Sequence, residues 1–291
     1  MAGLTDYIKA TAAWAESVAD PRTKDWVLVQ SPVPSYSLVM LYLFVVWWGP
    51  RYMADRKPFD LKYIMMAYNL SLVVLSVYMF KEFFVTTILN PNFNSVCQPV
   101  DYSDDPMALR LAAVCWWFYF SKIIELLDTV IFILRKKNSQ ITFLHVYHHS
   151  TMILLWWIGV RWVAGGNSYS SGMVNCLIHT LMYSYYFLSA LGPSLQPFLW
   201  WKRYLTSLQL LQFFGVMIHS FVTLYLDCGF PRPYVYALIA YLISHIVLFS
   251  NFYRKSYSGK GKKKETTNGT VSEQEQQRGG RYNLRQRSSN K

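Results

Sequence analysis

Charged residues are scarce in this chain of 291 residues: Asp, Glu, Lys and Arg make up 15% of it, whereas soluble domains contain roughly 25%. This scarcity argues against an ordinary soluble protein. The apolar windows responsible for it are 36–50, 63–80, 111–134, 141–160, 168–201, 204–226 and 234–253. A helix of roughly 20 mostly apolar residues crosses a bilayer. The windows therefore predict an all-α integral membrane protein with seven transmembrane helices.

A cleavable signal peptide is also missing, because residues 1–30 carry charges of both signs and no apolar run. We therefore expect the first span to direct the chain to the membrane. Lys and Arg cluster in alternate loops, which predicts that these loops and the C-terminus are cytosolic and that the N-terminus is lumenal. The predicted organisation is a lumenal segment at 1–34, a seven-helix membrane domain at 35–256 and a disordered, basic cytosolic tail at 257–291.

Cysteine is scarce as well, with four in the chain. Cys115 and Cys176 fall inside predicted spans, and we expect them to behave as small apolar residues. Cys97 and Cys228 fall in two predicted lumenal loops, where an oxidising compartment permits a disulfide. The sequence leaves open whether they form one.

Three of the six histidines, His145, His148 and His149, stand together in an apolar window. Their spacing of i, i+3 and i+4 places them on one face of a helix. Ionisable side chains are costly inside a membrane and usually mark function, so the cluster indicates a reaction site or a metal site. His219 and His245 have no polar neighbours at helical spacing, and we interpret them as structural.

Polar side chains form stripes on other predicted helices. The spacing of Lys122, Glu125, Asp128 and Thr129 keeps them on about a third of one helix circumference. Lys122 and Glu125 are expected to pair, and Asp128 could accept a hydrogen bond from an imidazole and fix its tautomer. The further stripes are Asn175, His179, Met182, Tyr183 and Tyr186 on one helix, and Thr206, Gln209 and Gln212 on the next. Together they predict a polar chamber near the cytosolic face.

Two chemistries fit the histidine cluster. Membrane di-iron enzymes such as desaturases also use His-x-x-His-His, but they need more histidines than this chain has, and Glu125 and Asp128 could at most complete a single-metal site. A neutral imidazole can instead attack a thioester, if a neighbour selects its free nitrogen and a donor stabilises the oxyanion. We favour this covalent chemistry without a metal. The alternative is a non-haem iron lipid oxidase or desaturase, and a non-catalytic transporter or receptor ranks third.

Four ordered motifs resemble those of the eukaryotic very-long-chain fatty acid elongases of the endoplasmic reticulum. The motifs are Lys122-x-x-Glu125-x-Leu127-Asp128-Thr129, Gln140-x-Thr142-Phe143-Leu144-His145-Val146-Tyr147-His148-His149, His179-x-x-Met182-Tyr183-x-Tyr185-Tyr186 and Thr206-x-x-Gln209-x-x-Gln212-Phe213. The resemblance implies condensation of acyl-CoA with malonyl-CoA to 3-ketoacyl-CoA, carbon dioxide and CoA, without a cofactor. It also implies that spans two to seven form an inverted six-helix barrel around an acyl tunnel.

The resemblance further implies roles for individual residues. His148 is expected to take the acyl group and His179 to assist it across the chamber, while His145, His149 and Asp128 orient and hydrogen-bond. The other implied site residues are Lys122, Glu125 and Tyr183 in catalysis, Lys202, Arg203 and Arg254 at the CoA phosphates, and Asn175, Gln209 and Gln212 at the substrate.

Substrate and partners follow from the same resemblance. Tyr147 together with Gln140 is similar to the subgroup that elongates polyunsaturated and very-long-chain acyl-CoAs. The reaction class implies partner reductases and a dehydratase, and the enzyme would be embedded in membrane lipid. A homo-oligomer stays open, and we expect no nucleic-acid partner.

Overall fold

The computed structural model describes residues 2–257, which fold into helices and contain no β-strand. The predicted all-α class is confirmed. The α-helices are α1 Ala2–Ser17, α2 Pro32–Tyr52, α3 Lys62–Thr86, α4 Pro106–Ile124, α5 Leu127–Leu134, α6 Phe143–Trp162, α7 Tyr169–Leu191, α8 Lys202–Tyr225 and α9 Arg232–Tyr257. Nearly all of the tail predicted at 257–291 lies outside the described residues.

Four of these helices are long and apolar enough to cross a membrane: α2, α3, α8 and residues Arg232–Ser256 of α9. The protein is therefore a multi-pass membrane protein. The helix boundaries follow local chemistry. The Ser31 side chain accepts a hydrogen bond from the N–H of Val33 at the start of α2, and α7 ends at Leu191, before Pro193, as the prolines predict.

The window 111–134 is not the continuous helix that we predicted. α4 ends at Ile124 and α5 begins at Leu127, and the N–H groups of Asp128 and Thr129 bond to carbonyls three residues earlier. Such a turn advances about 120° per residue instead of 100°. The predicted stripe consequently splits, because Asp128 contacts α7 whereas Thr129 contacts α2 and α6.

The chain divides into two compact units, residues 1–245 and residues 246–291. The described part of the second unit is the last turns of α9. In the first unit, α3 packs on α7 and α4, and α6 packs on α4 and α2. Its core includes Phe83, Phe118, Tyr119, Ile153 and Trp157, all of them buried. Polar side chains lie near the first turns of α6, and loops lie near its last turn.

The loops 87–105, 163–168 and 226–231, together with α1, lie near the last turn of α6. We call this region the disulfide end. Cys97 and Cys228 form a disulfide there, while Cys115 and Cys176 are free and buried. The segment predicted only as lumenal at 1–34 contains α1, which the indole N–H of Trp162 tethers through the carbonyl of Ala15 (2.9 Å). This end is therefore joined covalently and through side chain to backbone bonds.

Candidate active site

The three clustered histidines lie at the start of α6. The helix begins at Phe143, and the hydroxyl of Thr142 caps it by accepting the N–H of His145 (3.2 Å). The cap fixes the first turn, so the helical spacing brings His145 against His149, with 4.3 Å between ring centroids. We call this region, with the facing parts of α2, α4, α5 and α7, the histidine end.

Two of the three histidines face α2 and α5. His145 Nε2 lies 2.6 Å from the hydroxyl of Thr129, which in turn lies 3.2 Å from the hydroxyl of Tyr42. The ring of His149 is buried and lies 6.5 Å from the ring of Tyr42. These contacts orient the two imidazoles and occupy one nitrogen of His145.

His148 has different surroundings. It lines a cavity of about 160 Å³ within the first unit, formed by side chains of α4, α6, α7, α8 and α9. Asn175 and Gln212 line it near His148, whereas His219 and Thr223 line it towards the disulfide end. No hydrogen bond joins the His148 ring to another described residue, so both of its nitrogens are open to a ligand in the cavity.

A buried charged cluster lies between α4 and α7, and Asn175 is the member of this cluster that lines the cavity. The Lys122 ammonium donates to Glu125 Oε1 (2.8 Å) and to Asn175 Oδ1 (3.1 Å), and it lies 3.4 Å from His179 Nδ1. Lys122 and Glu125 are each 2% exposed. The predicted ion pair is present, and because it is buried, its loss would leave an uncompensated charge.

Asp128 does not contact an imidazole. Its Oδ2 accepts a hydrogen bond from the hydroxyl of Tyr183 (2.9 Å), and Thr129 instead of Asp128 bonds to an imidazole, that of His145. The break between α4 and α5 explains the exchange. Among residues 2–257, no group of three or more His, Cys, Asp or Glu side chains is placed so that it could hold a metal ion.

Sequence comparisons agree with this arrangement. The family described as ELO: GNS1/SUR4 matches residues 27–265. The chain belongs to this family. It is 51% identical over 245 residues to very long chain fatty acid elongase 4 of Mus musculus, covering 84% of this chain and 78% of that protein. It is 47% identical over 242 residues to very long chain fatty acid elongase 5 of Tachysurus fulvidraco, covering 83% and 81%.

Membership of this family, with elongases as relatives, shows that the chain is a very-long-chain fatty acid elongase. The other residues predicted to bind substrate lie in different parts of the protein. Gln209 Nε2 lies 3.7 Å from the sulfur of Met182. Lys202 and Arg203 are exposed in the first turn of α8, and Arg254 lies in the last turn of α9, in the second unit.

Three residues that the sequence did not single out lie beside the cavity or the clustered histidines. His245, interpreted as structural, lines the cavity with its ring centroid 5.6 Å from that of His148. Tyr241, one helical turn before it, was the available signal, because its polar aromatic side chain lies at helical spacing from His245, and the two ring centroids are 4.0 Å apart. His219 also lines the cavity, bonded to Ser170 on another helix, and Tyr42 belongs to a span that the resemblance placed outside the barrel.

Proposed function

We propose that this elongase condenses a long or very-long-chain acyl-CoA with malonyl-CoA, and that the acyl group passes through His148. One observation carries the proposal: of the three clustered histidines, only His148 borders the cavity. His145 is bonded to Thr129. A nucleophile must reach the substrate, and an imidazole acts as one when it is neutral and accessible.

The reaction has two halves. An imidazole nitrogen of His148 attacks the thioester carbonyl, and the oxyanion collapses to acyl-histidine as CoA leaves as a thiol. Malonyl-CoA then loses carbon dioxide, and its α-carbon attacks the acyl carbonyl. Collapse of the second oxyanion releases 3-ketoacyl-CoA and restores the imidazole. Each oxyanion needs a hydrogen-bond donor, and His179 and Asn175 are the donors that we assign.

The acyl chain occupies the cavity between the histidine end and the disulfide end. Both His148 and Val163 line it, and the α6 backbone between them is about 22 Å long at about 1.5 Å per residue. The side chains of Phe118, Met152 and Trp156 provide apolar lining. A polyunsaturated chain is the substrate that we propose, on the resemblance carried by Gln140 and Tyr147.

Seven spans complete the proposed architecture, with α4 and α5 together forming one of them and α3 to α9 forming the barrel. A disulfide needs an oxidising compartment, which supports a lumenal position for the disulfide end and for α1 tethered there. The histidine end then faces the cytosol, and the enzyme lies in the endoplasmic-reticulum membrane. The cycle's reductases and dehydratase would act on the product.

The CoA phosphates are proposed to bind Lys202 and Arg203, and no cofactor takes part; Arg254 stays a prediction from the sequence alone. The guanidinium of Arg203 already donates to the hydroxyl of Tyr204 (2.6 Å), which preorganises it for a phosphate. Replacing each cation by Gln should raise KM for both CoA substrates while kcat stays the same. An unchanged KM would reject this assignment.

The decisive experiment compares native protein with His148→Ala and Ser150→Ala. Ser150 is the matched control, because it lies on the same helix and its hydroxyl bonds only to carbonyls of its own helix. With acyl-CoA alone, the intact mass of native protein should rise by one acyl group, and malonyl-CoA should remove that group. The His148→Ala protein should show no adduct and should lose at least about a thousandfold in kcat. Turnover by His148→Ala, or no adduct on active native protein, would contradict the proposal.

A further inference from the structure

The protons around His179 can be assigned from its neighbours. An ammonium group has three N–H donors and no acceptor. Each hydrogen bond of Lys122 is therefore donated by Lys122, including the one to His179 Nδ1 at 3.4 Å. A nitrogen that accepts a hydrogen bond cannot carry a proton in the ring plane. Nδ1 is thus the unprotonated nitrogen, and the proton of the neutral ring lies on Nε2.

Glu125 competes for the same nitrogen. Its Oε1 lies 3.2 Å from His179 Nδ1, and a hydrogen bond there would require a proton on Nδ1. Lys122 and Glu125 both lie within hydrogen-bond distance of Nδ1, at 3.4 Å and 3.2 Å, so the two groups favour opposite tautomers of the neutral ring. Oε1 also accepts a hydrogen bond from Lys122 at 2.8 Å, and the ammonium offsets the negative charge that would draw a ring proton towards Glu125. The positive charge beside Nδ1 likewise disfavours an N–H there, so Lys122 favours the tautomer with the proton on Nε2.

The protonated nitrogen points to the other side of the ring. His179 Nε2 has no hydrogen-bond partner among residues 2–257, although His179 as a whole is 6% exposed. Nε2 also does not belong to the fully buried side-chain atoms without a hydrogen-bond partner in the described residues, such as Glu125 Oε2, Trp157 Nε1 and Gln212 Oε1. A proton donor with some accessible surface is thus left for a substrate oxygen.

We propose that Lys122 is a positioning residue that holds His179 in its Nε2–H tautomer, so that His179 donates a hydrogen bond to a substrate oxyanion and does not act as a base. The identity of that oxyanion rests on the condensation proposed above. The tautomer does not, because it depends only on Lys122, Glu125 and His179. The resemblance had implied a catalytic role for Lys122, but its ammonium is fully engaged by neighbouring side chains.

Lys122 and Glu125 can be separated experimentally, because they are the two partners of one buried ion pair. Lys122→Gln and Glu125→Gln both break the pair and leave one uncompensated charge. Only Lys122→Gln also removes the donor to Nδ1, and the remaining Glu125 carboxylate then draws a proton to Nδ1. A purely structural role for the pair predicts equal effects, whereas a role in fixing the tautomer predicts unequal ones.

The first readout is independent of turnover. Full-length protein labelled with ¹⁵N-histidine is placed in lipid nanodiscs, and the His179 signals are identified by their loss in His179→Gln. Native protein and Glu125→Gln should show a proton on Nε2 and none on Nδ1, and Lys122→Gln should show one on Nδ1. A proton on Nδ1 in the native protein would overturn the proposal, even if Lys122→Gln failed to fold.

The second readout tests the donor role. A Gln amide can replace the Nε2–H donor of a histidine but not its basicity. His179→Ala should lower kcat by about 10²–10³-fold, and His179→Gln should recover at least tenfold of that loss at unchanged KM for acyl-CoA. Equal loss in both variants would reject the donor role. A correct tautomer in protein that forms no acyl-histidine would reject the proposed function and leave the role of Lys122 in place.

Discussion

The histidine end and the disulfide end are held together by different kinds of bond. At the histidine end, side chains bond to side chains across helices, as in the contacts of Thr129 with His145 and of Asp128 with Tyr183. At the disulfide end, side chains bond mostly to backbone: Arg22 donates to the carbonyl of Ala164 (2.7 Å), and Tyr102 donates to that of Trp162 (2.9 Å).

The difference reflects what each end must do. Bonds between side chains orient an imidazole and still leave another nitrogen open, which a reaction needs. Bonds to backbone carbonyls satisfy buried polar groups and fix loops, which makes this end rigid. The first kind of bond should matter mainly to turnover and the second mainly to stability, so substitutions at the two ends should have opposite profiles.

The largest effect on stability should come from removing the disulfide. Cys97 and Cys228 are separated by 131 positions in sequence, and losing a native disulfide typically costs about 2–5 kcal/mol. The double variant Cys97→Ser/Cys228→Ser should therefore unfold at a clearly lower temperature, while kcat of the folded fraction stays the same. Thermal unfolding in nanodiscs measures the unfolding temperature, and initial-rate kinetics measure kcat.

The native protein treated with a reductant provides the control. Reduction should lower its unfolding temperature to that of the double variant, and the double variant should not respond. A double variant that is as stable as native protein, but slower, would reverse the roles of the two ends.

Gly166 tests the disulfide end without changing a covalent bond. Its φ is +50°, and an added Cβ would lie 2.8 Å from the backbone of Pro99 and Val100. Gly166→Ala should therefore destabilise the fold by about 2–3 kcal/mol through backbone strain and overpacking. Gly215→Ala is the matched control, because nothing lies within 4 Å of its added Cβ. Equal unfolding temperatures for the two variants would show that the loops at this end are loosely packed.

Thr129 tests the histidine end. Thr129→Val keeps the shape of the side chain but removes the hydroxyl that lies 2.6 Å from His145. We expect kcat to fall by about tenfold, equivalent to about 1.4 kcal/mol, with a smaller change in unfolding temperature than in Gly166→Ala. Thr129→Ser restores the hydroxyl and should restore kcat. A large loss of stability at unchanged kcat would mean that this end is also built for rigidity.

The sequence predicts contacts along one helix better than contacts between helices. The histidine cluster on one helix face and the pairing of Lys122 with Glu125 follow from spacing along one helix, and the structure has both. Contacts between helices did not follow. Local spacing cannot reveal that Tyr42 approaches Thr129, or that His245 approaches His148, because each pair joins residues far apart in the chain.

The break in the predicted third span shows a second reason. Residues 124–127 carry no proline or glycine, so no local signal ends the helix there. Buried side chains of α7 offer another reason for the break, because His179 contacts Glu125 and Tyr183 contacts Asp128. At the disulfide end, the sequence left open whether Cys97 pairs with Cys228, because it does not determine the conformation of either loop.

The smallest expected effect concerns pH at the disulfide end. Hydrogen bonds from Ser103, one of them from its N–H at 2.9 Å, lower the pKa of Asp101 below its usual value. A carboxyl group whose pKa is lower in the folded state stabilises the fold above its unfolded pKa of about 3.9, and that contribution disappears as the pH falls through the folded pKa. Native protein should therefore unfold at a slightly higher temperature than Asp101→Asn at pH 7, and the difference should vanish in acid. Ser103→Ala should reduce the same difference, because it removes one of the two donors. If the Asp101→Asn difference instead persisted unchanged in acid, the charge of this carboxylate would contribute nothing to stability, and the prediction would be wrong.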